Sequence, residues 1–149
     1  MRKLLATHGG WACLILRLGL GIVMLPHGLQ KLVGWFGGPG FVRSFHSLTT
    51  ARHLPVFLAV LVIVVESLGS VGLVVGFLTR IAAFGIACDM MGIIALGQWR
   101  NGFFMNWAGH KAGEGIEYHL LVLAMSLALM ITGAGNWSID QAIASRRRM

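Results

Sequence analysis

The sequence predicts an all-α integral membrane protein: an antiparallel four-transmembrane-helix bundle with an aromatic-rich interfacial loop between helices 1 and 2. Three observations carry that expectation. The 149 residues are 56% hydrophobic and only 11% charged, with a mean hydropathy of +0.77, whereas a soluble domain carries about 25% charged residues. Four apolar segments, about 11–33, 55–77, 81–99 and 116–134, each approach the roughly 20 residues needed to cross about 30 Å of hydrocarbon. The ionisable residues inside those segments sit in rows of small residues, and small residues let helices approach closely in lipid.

The first segment follows Arg2 and Lys3 and so mimics a signal peptide. His8-Gly9-Gly10 and Arg17 interrupt it and no small-x-small site follows, so it reads as a retained helix. Pro26 cannot donate to Ile22, which predicts a bend beside His27 and Gly28. In the loop 34–54, Phe41, Phe45 and Leu48 are spaced i, i+4, i+7, as in a short helix lying in the interface. Segments two and three are joined only by Leu78-Thr79-Arg80, a tight hairpin. Gly133, Gly135 and Asn136 stop the fourth segment, and a short basic tail, 136–149, completes a single domain of residues 1–149. With four spans, Arg2, Lys3, Arg80 and the three arginines Arg146, Arg147 and Arg148 share one side. Lys31, Arg43, Arg52, Arg100 and Lys111 share the other. The small excess on the first side puts both termini in the cytoplasm.

Several function classes are disfavoured. The basic residues are scattered or terminal and form no stripe interleaved with aromatics, so no nucleic-acid partner is expected. The basic ends suit membrane lipid headgroups instead. No GxGxxG, P-loop, GxSxG or haem-attachment motif occurs, so no covalently bound cofactor is expected. Cys13 and Cys88 form no CxxC, lie at different expected depths, and read as small apolar packing residues. Glu117 and His119 are two apart and His110 and Glu114 are flanked by glycine, so no metal site is expected.

Two polar clusters remain. At about 1.5 Å per residue, Arg17, Glu66 and Asp89 lie roughly 9–16 Å from the same ends of their helices, so a long Arg17 side chain is expected to meet both acids. Such a network either fixes helix register or serves as a proton relay or substrate contact. Nearer the opposite ends, His27, Lys31, Glu117 and His119 share a depth. Either Lys31 bridges to Glu117, or His27 and Lys31 donate to a headgroup-sized ligand in a polar pocket. Trp35, Phe36, Phe103, Phe104 and Trp107 above them read as an aromatic belt, a lid over such a pocket, or both.

Five stretches, in order and across nearly the whole chain, are RLGLGIVMLPHGLQKLVGWFGG (17–38), VVESLGSVGLVVGFLTRIAA (64–83), GFF (102–104), EGIEYHLL (114–121) and GAGNWSID (133–140). Together they resemble the DoxX family. The resemblance implies a four-helix bundle in the bacterial inner membrane. It places Arg17, His27, Gly28, Lys31, Glu66, Arg80, Glu117 and Gly133 at positions of the family pattern. Functions in that family are heterogeneous: one branch resembles the membrane subunit of thiosulfate:quinone oxidoreductase, and another member associates with thiol and superoxide defence enzymes.

Three functions are then open. The first is a redox-associated membrane subunit that binds a quinone or similar small lipophilic ligand and takes electrons from a soluble redox partner or a bound reductant. The second is a non-catalytic scaffold that docks partner proteins. The third is a carrier for protons or a small solute using Glu66 and Asp89, which would need a homodimer.

Overall fold

A computed structural model describes residues 10–146. Arg2, Lys3, Arg147 and Arg148, used in the charge comparison, lie outside the described residues. The described chain contains six helices and no strand. They are α1 (Trp11–Leu32), α2 (Gly40–His46), α3 (Val56–Val75), α4 (Thr79–Ala95), α5 (Glu117–Thr132) and α6 (Ile139–Arg146). Of these, α1 and α3 are long and apolar enough to cross a membrane.

The ends follow local chemistry. Helix α1 runs continuously through Pro26 and ends before Gly34, which adopts a left-handed conformation (φ 77°). At the end of α3, Phe77 N–H donates to Gly72 O (2.8 Å) and Gly76 N–H to Leu73 O (3.2 Å). That double closure needs the left-handed Gly76 (φ 71°). Helix α4 ends at Ala95, short of Trp99, because Gly97 (φ 147°) turns the chain into a 3-10 turn over Gln98–Asn101. The expected short helix between segments one and two is present as α2, extended by a π turn at Ser47–Ala51, with Phe41 and Phe45 stacked at 5.9 Å.

One core joins α1, α3, α4 and α5. Leu20 and Met24 meet Leu73, Ile86, Met90 and Leu129, all at most 2% exposed. Outward, large apolar side chains such as Ile22, Leu61, Phe84, Leu121 and Ile131 are exposed. An exterior of this kind would drive association in water and is what lipid solvates.

The residues after α5 are a structural element and not only a basic tail. Ser138–Asp140 return to the α3–α4 turn, where Asp140 N–H donates to Gly76 O (2.9 Å). The Asp140 carboxylate accepts from Leu78 N–H (2.8 Å) and Thr79 N–H (2.9 Å), the first free donors of α4. A carboxylate at a helix N-terminus satisfies those donors and complements the helix dipole. Replacing Asp140 by Ala should therefore lower stability by about 1–2 kcal/mol, with Asp140→Asn milder. Thermal unfolding of the detergent-purified protein checks this, and an unchanged midpoint in Asp140→Ala would remove the capping role.

Candidate functional site

A cavity of about 730 Å³ lies between α3 and α4 and is closed at one end by the α2 segment. Leu61 and Val65 of α3, with Phe84 and Ile93 of α4, give it apolar walls. Four charged or acidic side chains also line it, Arg52 and the group of Lys31, Glu66 and Asp89.

Their convergence begins with an irregularity. Helix α3 widens into a π turn at Val65–Gly69, which contains Glu66. Such turns re-aim side chains and are frequent at functional sites. Ser67 Oγ donates to Ile63 O and Ser70 Oγ to Glu66 O, each at 2.5 Å, so side chains occupy carbonyls in the widened segment. Helix α1 meets this turn at Gly28, where an added Cβ would lie 2.2 Å from Glu66 O. Only glycine permits that approach. Lys31, three residues on and on the same face of α1, donates to Glu66 Oε2.

Glu66 is 2% exposed and Asp89 9% exposed. Asp89 lies beside Glu66, near enough to interact with it, and its Oδ2 has no hydrogen-bond partner among the described residues. Two carboxyl groups and Lys31 leave one excess negative charge when all three are ionised, a charge that is costly to bury.

The structure redistributes the two expected clusters. Glu66 and Asp89 do come together, but without Arg17. Arg17, 1% exposed, instead donates to five carbonyls at the opposite end of α1. These are Leu73 O (2.7 Å), Val74 O (2.6 Å), Ala134 O (3.1 Å), Asn136 O (3.4 Å) and Trp137 O (3.1 Å). The reason is register: Gly28 is level with Glu66, so Arg17 lies eleven residues, roughly 16 Å, away along the helix. Its side chain also leans toward the N-terminus of its own helix, away from the acids.

Lys31 accordingly reaches Glu66 and not Glu117. Glu117 turns to the loop before its own helix, its Oε1 accepting from Met105 N–H (2.9 Å) and Trp107 Nε1–H (3.2 Å). His27 is exposed and 6.2 Å from the Tyr118 ring, and His119 is buried within α5 beside Tyr118. Neither lines the cavity. The same holds for Trp35, Phe36, Phe103, Phe104 and Trp107, so the aromatic side chains do not form its lid. The loop 100–115 folds back on the start of α5, with Glu117 N–H bonded to Phe103 O (3.0 Å) and Ile116 N–H to Gly102 O (3.2 Å). Ser44 and Leu48 of the α2 segment cover the cavity instead.

Among the cavity residues that were not singled out as site residues from sequence are Ser44 and Cys88. Ser44, in a polar stretch, carries no signal that would set it apart. Cys88 reads as a packing residue but is exposed and lines the cavity, whereas Cys13 is buried; both thiols are free. Among the described residues no group of three or more His, Cys, Asp or Glu side chains could hold a metal ion.

The sequence pattern of the DoxX family matches residues 12–99, a region that holds Lys31, Glu66 and Asp89. A Mycobacterium tuberculosis protein named "Uncharacterized membrane protein Rv3486" is 30% identical over 150 residues, covering 97% of this chain and 88% of that protein. A Bacillus subtilis protein named "Putative oxidoreductase CatD" is 29% identical over 127 residues, covering 85% of this chain and 83% of that protein. No solved structure matches.

The Lys31–Glu66 pair makes a direct prediction. Lys31→Met and Glu66→Gln should each lower stability by about 1–3 kcal/mol, because each strands a partner in or near the interior. The double variant should recover most of that loss. Losses that simply add in a double-mutant cycle would mean that the two side chains do not depend on one another.

Proposed function

This chain belongs to the DoxX family, and on that premise we propose that it is a redox-associated membrane subunit holding a quinone or similar small lipophilic ligand in the α3–α4 cavity. The observation that carries the reading is the cavity itself: apolar, about 730 Å³, with a few polar groups gathered around the buried Glu66 and Asp89. Sites for small lipophilic molecules are commonly concave, mostly apolar and about 300–1,000 Å³. The cavity lining extends along α4 from Ile81 to Leu96, about 22 Å at 1.5 Å per residue. A groove of that length suits a ring at the polar end and a tail along Phe84 and Leu61. Lys31 has N–H groups beyond the one given to Glu66 and can donate to a ring oxygen, the role that sequence gave jointly to His27.

The wider setting follows from the same premise. Helices α4 and α5 join α1 and α3 as transmembrane spans of a four-helix, multi-pass bundle in a bacterial inner membrane. Their 17 and 16 residues cover about 26 and 24 Å of hydrocarbon. Both termini are cytoplasmic. A soluble partner supplies electrons, in keeping with the relative that is named an oxidoreductase. A scaffold is the second reading, favoured by the exposed loop 100–115, where Trp107 is 88% exposed.

The test is thermal stability of the detergent-purified protein against a panel of quinones. A saturable rise in midpoint is expected with the wild type. Gly92→Leu should abolish it, since a Cβ at Gly92 meets nothing within 4 Å and the residue lines the cavity. The added side chain fills ligand space without displacing protein. His27→Ala should keep the shift. No shift with any quinone in a folded protein would overturn the ligand reading and favour the scaffold.

A further inference from the structure

We propose that the mouth of the α3–α4 cavity seats the phosphate of an anionic phospholipid, held by Arg52 with Ser47 and Gln98, and that one acyl chain of that lipid runs down the groove. The proposal goes beyond the quinone reading and does not rest on it. A ring ligand beside Lys31 and a lipid headed at Arg52 use different polar groups and share only the apolar length of the groove.

The groove opens sideways. Leu61, Phe84 and Leu96 line it along its length, and each is at least half exposed. In a chain with this exterior, an opening between two helices faces hydrocarbon, so its occupant arrives from the bilayer and not from water. A membrane amphiphile matches such a lining, with an apolar chain and a polar group at one end.

The mouth sets what that polar group is. Helices α3 and α4 are antiparallel, so the start of α3 at Val56 and the end of α4 at Ala95 lie at one level. Arg52, just before α3, and Gln98, just after α4, line the cavity at that level, and Ser47 of the α2 segment joins them. Trp99, beside Gln98, is more than half exposed, as suits a ring at the depth of the headgroups. Arg52 and Ser47 are exposed and Gln98 is half-buried, so a ligand can reach all three. The Arg52 backbone N–H donates to Ser47 O (3.2 Å). The Arg52 guanidinium, the Ser47 hydroxyl and the Gln98 amide have no partner among the described residues.

The sign of the ligand's charge follows from where the acids lie. Glu66 and Asp89 are about 15 Å and about 9 Å along their helices from the ends that meet at the mouth. Glu66 is already bonded to Lys31. The other polar lining groups do not answer Arg52 either. Gln30 Nε2 donates to Phe36 O (3.3 Å), Ser44 is buried, and the Cys88 thiol neighbours Asp89 deeper in the groove. Arg52 is thus an accessible cation with no acid beside it. A guanidinium presents a planar fork of N–H donors that matches two phosphate oxygens, and the hydroxyl and amide add further donors. Helix α3 starts beside Arg52 with no side-chain cap, and its dipole adds positive potential there. Basic pockets between transmembrane helices are recurrent seats for anionic headgroups. A zwitterionic lipid has the same phosphate but brings its own cation to Arg52, which lowers its affinity.

The experiment measures dissociation constants on the full chain in detergent by native mass spectrometry. The probes are dioleoyl phosphatidylglycerol and dioleoyl phosphatidylcholine, which share tails and a phosphodiester and differ in charge. The anionic lipid should bind about tenfold more tightly, as a hydrogen bond to a charged group gives. Arg52→Gln should erase that preference, and it strands no partner, so the fold should be kept. Arg43→Gln, which removes the same charge from α2 outside the cavity, should retain the preference. Gly92→Leu, which fills the groove, should weaken both lipids. Glycerol phosphate, a headgroup without chains, should not compete. Equal binding of the two lipids overturns the proposal, and so does a preference that survives in Arg52→Gln. A preference lost equally in Arg43→Gln means attraction to net charge alone and overturns it too, as does unchanged lipid binding in Gly92→Leu. Competition by glycerol phosphate overturns the lipid in favour of a water-borne phosphate ester. Each of these outcomes leaves the quinone reading standing, and absence of a quinone shift leaves this proposal standing.

Discussion

The contact of Gly28 with the backbone of Glu66 sets the register on which the cavity depends. An added Cβ at Gly28 would fall 2.2 Å from Glu66 O and 2.5 Å from Ser67 Cα, so α1 and α3 are in backbone contact there. Lipid tails are as apolar as leucine, so close packing and polar bonds, rather than hydrophobic burial, hold such helices together. The approach is possible because α1 offers no side chain and α3 presents a widened turn. Once it is made, Lys31 is placed one turn further along, within reach of Glu66, and Asp89 meets the same carboxyl from α4. The cavity is what remains between α3 and α4 beside that crossing, closed by α2.

A second polar centre at the other end of α1 keeps the helices from sliding. Arg17 uses its N–H groups on carbonyls from the end of α3 and from the residues after α5. Those carbonyls lie at or just beyond helix C-termini, where acceptors outnumber donors and a cation is also favoured by the helix dipoles. Asp140 meets the complementary need, capping the free N–H groups at the start of α4 and lying near enough to Arg17 to interact with it. One buried cation thus gathers two helix C-termini and one buried anion a helix N-terminus. Neither lines the cavity. The division explains why charges of similar apparent depth have separate work to do: one group secures the fold, and the other faces a space.

How much of this can be read from sequence depends on whether the signal is local. Helix positions and the stop at Gly133 follow from apolar runs and glycines, as does a tight turn at Leu78, although Thr79 and Arg80, expected in that turn, form the first residues of α4 and the turn falls at Gly76–Leu78. The importance of Arg17, Lys31, Glu66 and Asp89 follows from the cost of placing them in apolar segments. Their pairing does not. Counting residues from helix ends treats each helix as an equal rod, whereas α4 ends four residues before the apolar segment does, α3 carries a π turn, and side chains lean toward their own helix N-termini. Those offsets suffice to exchange Arg17 for Lys31 as the partner of Glu66. Asp140 was hidden for a different reason: it caps a helix some sixty positions earlier, at Leu78 and Thr79, and no local pattern marks such a cap.

The aromatic residues show where composition misleads. Trp35, Phe103, Phe104 and Trp107 are concentrated in loops and invite the picture of a lid, yet each is more than half exposed. Tryptophan and phenylalanine combine a large apolar area with tolerance of the headgroup region, and that alone accounts for their placement. A cover for a ligand needs something else, a segment anchored on both sides of the opening. Helix α2 and its π turn provide this, tied to α1 through the short 3-10 turn at Trp35–Gly37 and to α3 through Leu54 and Pro55. The cover brings a serine, Ser44, rather than a ring. What α2 closes over is an apolar groove with Lys31 and Asp89 gathered beside Glu66.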